Sequence, residues 1–447
     1  MPDVDVIVVG AGLAGLRAAD LLRARGLTTL VLEARDRVGG RTWTTELAGA
    51  PVELGAQWVG PGQPRILALL DELGLATHHV AHDGRKVVAA GGRVRTYSGT
   101  VPPLSPTALA GLQGALWAMD RLARTVDPAA PWDARRAAEL DGRTLEQWKR
   151  RHIPPGSGRS VFDAAIRVVF GAEPGELSLL WAAHYVAGGG GMEALVEVQG
   201  GAQERRISAG TQALALALSA RLGDAVRLSH PVERVVQDAG GVTVTGPWGQ
   251  ARAGRLVVAL PPHLAGRIAF APLLPVARDA LTQRFPMGQT IKVQVRYERA
   301  FWRARGLSGE AVLADGPVSV VIDGSGAEGA APGLSAFVVA EPGRQASRWT
   351  PETRRERVLD QLARCFGDEA REPLGYADLD WAAQEWSRGC PTGSAVPGAL
   401  SRLGPALREA CGRVHWAGTE TARQWAGYME GALESAERVA AEVGAAR

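Results

Sequence analysis

The chain has 447 residues, 46% of them hydrophobic and 22% charged, a balance that suits a folded protein of roughly two to three domains and excludes wholesale disorder. Fifty basic residues against 47 acidic ones leave a net charge of +3 spread along the chain, which argues against a nucleic-acid-binding surface. Cys365, Cys390 and Cys411 form no paired framework and no CxxC spacing, no run of about 18 uncharged apolar residues occurs, and Met1-Pro2-Asp3-Val4-Asp5 lacks a basic secretory start, so a cytoplasmic protein with no membrane span is expected.

Val4 to Val9 is a β-branched run, and Gly10-Ala11-Gly12-Leu13-Ala14-Gly15 follows it directly. A helical pattern from Leu16 to Arg25 sets Leu16, Ala19 and Leu22 on one side; Gly26 ends it, and Thr28 to Leu32 reads as a second strand ending at Glu33. Strand, GxGxxG, helix, strand and acid is the order of a dinucleotide-binding unit. Gly10 permits the tight turn, Gly12 lets the backbone approach a pyrophosphate, and Gly15 lets the helix pack close to the sheet, with Ala14 in the same turn. The helix N-terminus offers free N–H groups and partial positive charge to the phosphates. Glu33, 23 positions after Gly10, is placed to accept ribose hydroxyls, and an acid there disfavours a 2′-phosphate. Glu33-Ala34-Arg35-Asp36-Arg37-Val38-Gly39-Gly40-Arg41-Thr42 then adds a second glycine pair before an arginine. That pattern suits a loop passing beneath the pyrophosphate and ribityl chain of FAD.

Further along, Leu109, Leu112, Leu116, Met119 and Leu122 recur every three to four residues and predict a helix with one apolar face. A helix is expected over 211–222, then strands at Val226-Arg227-Leu228, Val232 to Val236, Val242-Thr243-Val244 and Leu256 to Leu260. Ile291 to Tyr297 alternates Lys292, Gln294 and Arg296 against Val293, Val295 and Tyr297, the pattern of a half-buried strand. A helix from about Tyr428 to Val443 is expected near the end of the sequence, and with the sequence stopping at Arg447 no membrane tail is expected. His78, His79 and His82, read at a helix end, include an i, i+4 pair but no third ligand at metal spacing, so no metal is expected. Gly188 to Gly191 lacks a preceding strand and reads as a flexible loop near the pocket.

In the Glu33–Thr42 loop the sequence resembles the flavin amine oxidase family, nearest to the monoamine oxidases and their bacterial counterparts. The resemblance continues, in order, through Val52-Glu53-Leu54-Gly55-Ala56-Gln57-Trp58-Val59-Gly60-Pro61, Gly201-Ala202-Gln203-Glu204-Arg205, and Lys292 with Phe301-Trp302-Arg303. It ends with Trp416-Ala417-Gly418-Thr419-Glu420-Thr421 and Trp425-Ala426-Gly427-Tyr428-Met429-Glu430-Gly431. The fold it implies is α/β, a Rossmann-like FAD-binding domain (residues 3–76, 208–281 and 384–447) interleaved with an α+β substrate domain of mixed sheet plus helices (77–207 and 282–383). Gly55, Ala56, Gln57, Trp58, Val232, Trp381, Gly418, Thr419, Glu420 and Met429 join the opening motif as implied FAD contacts.

The resemblance also implies roles. Tyr428 stands beside the flavin as one wall of an aromatic cage, and the helix it begins points its N-terminus at the pyrimidine edge, favouring the reduced form. Cys390 occupies the position of a flavin-linking cysteine; a thioether to the 8α-methyl and a dissociable flavin beside a free thiol both remain open. Pro391 replaces the second cage tyrosine, and the cis bond at this point is compatible with proline; Trp386 is the candidate to supply part of the lost wall. Lys292, one of three lysines with Lys86 and Lys149, would hold a water near the flavin and assist reoxidation by O2. Val168, Val169, Tyr185, Leu195, Val196 and Gln203 match substrate-pocket positions.

The activity implied is oxidation of an amine C–N bond to an imine, hydrolysed to a carbonyl, with O2 reduced to H2O2. The partners are then a small-molecule amine and O2, with no nucleic acid or membrane and with a homodimer left open. The missing cage tyrosine keeps a second activity in view, a flavin dehydrogenase or desaturase, or an amino-acid oxidase, acting on a larger biosynthetic metabolite. An amino-acid oxidase would need an arginine facing the pocket.

Overall fold

A computed structural model describes residues 3–99 and 102–445; the expectations placed on Met1-Pro2 and on Ala446-Arg447 lie outside the described residues. An eight-stranded sheet runs in the order Val226–Arg227, Thr29–Leu32, Val4–Val9, Gly249–Val258, Gly241–Gly246, Arg234–Asp238, Ala269–Ala271, with Val414–Trp416 also paired to Gly249–Val258. The central pairs are parallel: Val4–Val9 with both Thr29–Leu32 and Gly249–Val258, and the latter with Val414–Trp416. Parallel strands need cover on both faces. On one side the helices Leu13–Ala24 and Met429–Ala445 bring Leu16, Leu22, Val439 and Val443 against Val6 and Val8; on the other, Ile7, Val9 and Trp416 form a second core.

A seven-stranded sheet lies beyond it, ordered Gly375–Asp380, Thr290–Arg296, Gly333–Val339, Val320–Asp323, Leu307–Leu313, Arg85–Ala90, Arg93–Tyr97. Helix Pro351–Phe366 covers one face through Val358, Leu362 and Phe366. Helices Pro106–Ala123, Ser157–Phe170 and Leu179–Gly188 share a separate apolar core that reaches this sheet at Val88 and Tyr97.

Several local expectations change. Strand Thr290–Arg296 is buried at all seven positions rather than alternately, because Lys292, Gln294 and Arg296 face other protein groups instead of water. The strand expected from Leu256 begins at Gly249, since antiparallel pairing of Gly249 to Ala253 with Gly241–Gly246 extends it backward through Arg252. Leu109 is 38% exposed, outside the apolar stripe formed by Leu112, Ala115 and Met119. His78 and His79 lie on a strand, Thr77–His79, so the helical i, i+4 geometry does not arise. Gly188 is a packing contact: its carbonyl accepts the Trp425 N–H, and a Cβ there would fall 2.9 Å from the Arg423 carbonyl oxygen.

The two inner glycines of the opening motif do different work. A Cβ on Gly15 would sit 1.9 Å from the Gly10 carbonyl oxygen, whereas one on Gly12 would have nothing within 4 Å. In protein stripped of bound dinucleotide, Gly15→Ala should therefore push the first helix off its strand and lower unfolding free energy by roughly 1–3 kcal/mol, while Gly12→Ala unfolds close to wild type. Denaturant unfolding of the two variants side by side checks this; equal destabilisation would contradict it.

Candidate active site

The Gly10 N–H donates to Leu32 O (2.8 Å), and its φ of +101° turns the chain sharply into the first helix. Glu33, 4% exposed, accepts from the Ala11 N–H at 2.7 Å and the Arg35 N–H at 3.0 Å, which fixes the carboxylate where the strand ends. The Gly39 N–H donates to Ala11 O at 2.8 Å, and a Cβ on Gly40 would lie 3.3 Å from Gly12 Cα. Gly55 closes the group, since its Cβ would fall 2.0 Å from the Arg41 carbonyl oxygen. Three glycine segments thus meet backbone to backbone.

Their meeting point opens into a cavity of about 710 Å³ that continues to Tyr185 and Tyr428. The space a Gly12 Cβ would fill belongs to this cavity, at a helix N-terminus and beside a buried carboxylate. That donor set fits the pyrophosphate and ribose of a dinucleotide.

Arg41 joins the two ends of the chain. Its guanidinium donates to both Glu420 oxygens, at 2.6 and 3.0 Å, and to Pro391 O at 2.8 Å. Glu420 also accepts from the Gly393 N–H at 3.1 Å. Burial opposes both charges, but each partner outweighs it for the other: Arg41 stands above its ordinary range and Glu420 below. Glu420 itself does not line the cavity; it holds Arg41, which does.

Lys292 is 2% exposed and donates to Gly55 O at 2.6 Å. Its ammonium lies 5.4 Å from the Trp58 ring centroid and 5.6 Å from that of Phe337. Burial pulls it down to about 7, with Glu53 opposing the fall and Arg206 adding to it. Glu53 is anchored by the Thr211 N–H and hydroxyl, each at 2.8 Å. Gln294 donates to Glu53 O at 2.7 Å and Gln57 Oε1 at 3.3 Å, so the strand's other inward polar residue braces the Gln57–Trp58 segment.

At the far side, Gly418 and Thr419 lead to Tyr428, whose carbonyl accepts the Thr419 hydroxyl at 2.8 Å; Met429 then begins the last helix at the cavity wall. The Tyr428 ring packs on Trp425 (5.1 Å) and Tyr185 (5.9 Å). Burial keeps both tyrosine hydroxyls well above their ordinary range. Cys390 and Pro391 line the cavity across a cis peptide bond, and burial pushes the Cys390 thiol up to about 11. Trp381 is fully buried, with its indole N–H on Leu54 O at 2.7 Å.

The cavity wall brings together Gly10, Gly12, Ala14, Glu33, Ala34, Arg35, Gly39, Gly40, Arg41, Gly55, Ala56, Gln57, Trp58, Val232, Lys292, Trp381, Trp386 and Cys390 with Val168, Val169, Tyr185, Leu195, Val196 and Gln203. Gly15 and Glu420 lie behind it. Trp386 lines the cavity and is 38% exposed, while among the described residues the rings packed directly on Tyr428 are Tyr185 and Trp425. The neighbouring Ser387 accepts the Arg35 guanidinium at 2.7 Å, which ties this segment to the loop after Glu33. Sequence reasoning missed Phe337, Val320, Ile322 and Glu310. Leu112 and Leu116 were visible as a helical stripe, but periodicity does not separate a cavity wall from a core.

Residues 13–444 match the family described as flavin containing amine oxidoreductase. AofH of Mycobacterium tuberculosis is 44% identical over 444 residues, 99% of this chain and 97% of that protein. The amine oxidase [flavin-containing] of Oncorhynchus mykiss is 37% identical over 445 residues, 98% of this chain and 85% of its own length. Among solved structures, cyclohexylamine oxidase from Brevibacterium oxydans IH-35A superposes with a TM-score of 0.95 at 34% identity, covering 100% of this chain and 99% of that one. Putrescine oxidase bound to putrescine gives the same score and identity over 99% of each chain. With its glycine cradle, buried Lys292 and closing Tyr428 turn in one cavity, the chain belongs to the flavin-containing amine oxidoreductase family, whose cofactor is FAD.

Proposed function

We propose that the cavity oxidises a small amine at its C–N bond, giving an imine that water hydrolyses to a carbonyl compound. The observation that carries this reading is continuity: the cradle that fits a dinucleotide and the apolar wall around Tyr185, Val168, Val169 and Leu195 belong to one continuous cavity. FAD held there would supply the two-electron acceptor for amine oxidation, with O2 and two protons leaving as H2O2.

The chain's residues bind, orient and exclude water. Glu33 takes the ribose hydroxyls, and the N–H groups after Gly12 face the pyrophosphate. Tyr428 and Tyr185, held protonated, offer ring faces to the amine. An apolar wall favours the neutral amine, since desolvation disfavours the charged form. Gln203 spends its amide N–H₂ on Leu195 O at 3.1 Å and keeps Oε1 buried without a hydrogen-bond partner among the described residues, an acceptor suited to the amine N–H. The N-terminus of helix Met429–Ala445 meets the cavity where negative charge gathers on reduction.

The arginines of the cavity wall are Arg35, Arg41 and Arg267 among the described residues. Arg41 is committed to Glu420, and Arg35 lies beside Glu33 and Ser387. Arg267 sits between helix Pro262–Ala265 and strand Ala269–Ala271 of the eight-stranded sheet, so among the described residues the Tyr185–Gln203 wall is left without a guanidinium for a substrate carboxylate, which favours an amine over an amino acid. We place the FAD-binding domain in 3–76, 208–281 and 384–447, and the substrate domain between these segments. Three free cysteines suit the cytoplasm.

Release of H2O2 with amines under air tests the activity. Lys292→Met should slow reoxidation by O2 at least tenfold, about the scale of removing one electrostatic stabiliser, and slow anaerobic reduction less. Because its charged fraction falls as pH rises through about 7, wild-type reoxidation should drop over that range and the variant's should not. Rapid mixing of the reduced enzyme with O2 reads both; equal loss in the two half-reactions would remove Lys292 from this role.

Among the described residues Cys390 is the cysteine in the cavity wall, and we assign it the thioether to the flavin 8α-methyl; its S–H and one 8α C–H would give way to the S–C bond, with O2 as the final acceptor of the two electrons and two protons. Denatured protein should then carry the mass of FAD on the Cys390 peptide, and Cys390→Ala should release all its flavin into acid. A bare Cys390 peptide from yellow protein would overturn the link.

A further inference from the structure

The cavity does not end at its apolar wall. Across the seven-stranded sheet, Lys292 lies opposite Phe337, Phe337 opposite Val320, Val320 opposite Val312, and Val312 opposite Val88. Directly opposed residues point to the same face. Lys292, Phe337, Val320 and Val312 therefore form one row along the cavity floor, apolar after its first member. From Thr290–Arg296 to Leu307–Leu313 is three strand spacings, roughly 14 Å.

A charged group closes that far end. Two residues before Val312 on the same strand, Glu310 shares its face and lines the cavity wall, next to a register shift between Leu307 and Ala311 where Gly309 has φ +87°. Glu310 is 8% exposed. Its Oε2 lies 3.0 Å from Lys86 Nζ, which also sits 3.7 Å from Glu197 Oε2. Two carboxylates thus share one ammonium, an excess of one negative charge. Glu310 Oε1 is buried with no hydrogen-bond partner among the described residues. Such an oxygen is costly to leave unsatisfied, and the floor between it and Lys292 offers it none.

We infer that Glu310 Oε1 receives a second, distal ammonium of the substrate, so that the cavity takes elongated diamines with an apolar middle. One nitrogen reacts at the Tyr428 end and the other completes the Glu310–Lys86–Glu197 cluster. The inference rests on the amine-oxidising reading of the same cavity. A shorter diamine cannot span the floor and gains nothing from its second nitrogen.

The test compares octylamine with octane-1,8-diamine, and butylamine with butane-1,4-diamine, on the holoenzyme. In wild type the eight-carbon diamine should exceed its monoamine in kcat/KM by about tenfold or more, the scale of one charge-assisted hydrogen bond, with the gain in KM. The four-carbon pair should show no such gain. Glu310→Gln should bring the eight-carbon ratio towards one, and Lys86→Met, which frees more negative charge, should raise it. The rise in melting temperature with each amine gives a readout independent of turnover. If Glu310→Gln does not fold, the wild-type ratio and the Lys86→Met ratio still decide. A wild-type ratio near one, or a ratio that Glu310→Gln leaves intact, would overturn the inference. Turnover of monoamines alone would leave the amine reading standing, whereas turnover of no amine would remove both.

Discussion

The buried pair between Arg41 and Glu420 is the joint on which the site depends. It connects a loop near the start of the chain to one near its end, across 379 positions, and it adds the Pro391 carbonyl to the same guanidinium. Two ions taken out of water are stabilising only when their remaining hydrogen-bonding capacity is met. Here Gly393 supplies a further donor to Glu420, so the pair is well satisfied. Removing one partner would strand the other charge in the interior, which typically costs about 3–5 kcal/mol. With the joint closed, the glycine cradle, the Cys390–Pro391 segment and the Tyr428 turn become walls of a single cavity.

A second constraint comes from the sheet beyond. Strand Thr290–Arg296 sends Lys292 to one side and Val293 and Val295 to a core under helix Pro351–Phe366. The strand is covered on both sides, so its polar residues must find protein partners: Lys292 takes Gly55 O, Gln294 takes Glu53 O, and Arg296 takes Gly324 O. Those bonds pin the Glu53–Trp58 segment, and with it one wall of the cavity. A lysine in such surroundings is easily discharged, which is why burial brings it near neutrality.

Much of this was legible in the residues, unevenly. The opening unit declared itself because each glycine answers to a separate geometric demand: a positive φ at Gly10, open space at Gly12, a backbone contact at Gly15. The roles of Lys292, Tyr428 and Cys390 came from resemblance, since nothing in the spacing of a lone lysine or tyrosine marks it as facing a cavity. Strand Thr290–Arg296 misled because alternation signals one wet face only when water lies there. Glu310 was not picked out, because the strand Leu307–Leu313 that carries it is set in place by long-range pairing with Arg85–Ala90 and Val320–Asp323.

The central claim is that the glycine cradle and the Tyr428 turn enclose FAD within reach of an amine. Anaerobic titration of the purified protein with amines addresses it most directly, because it removes O2 and reads only electron transfer within the cavity. The expected result is a yellow protein whose visible flavin absorbance is lost as amine is added. Protein that stays colourless after incubation with excess FAD, or whose flavin spectrum no amine bleaches, would contradict it.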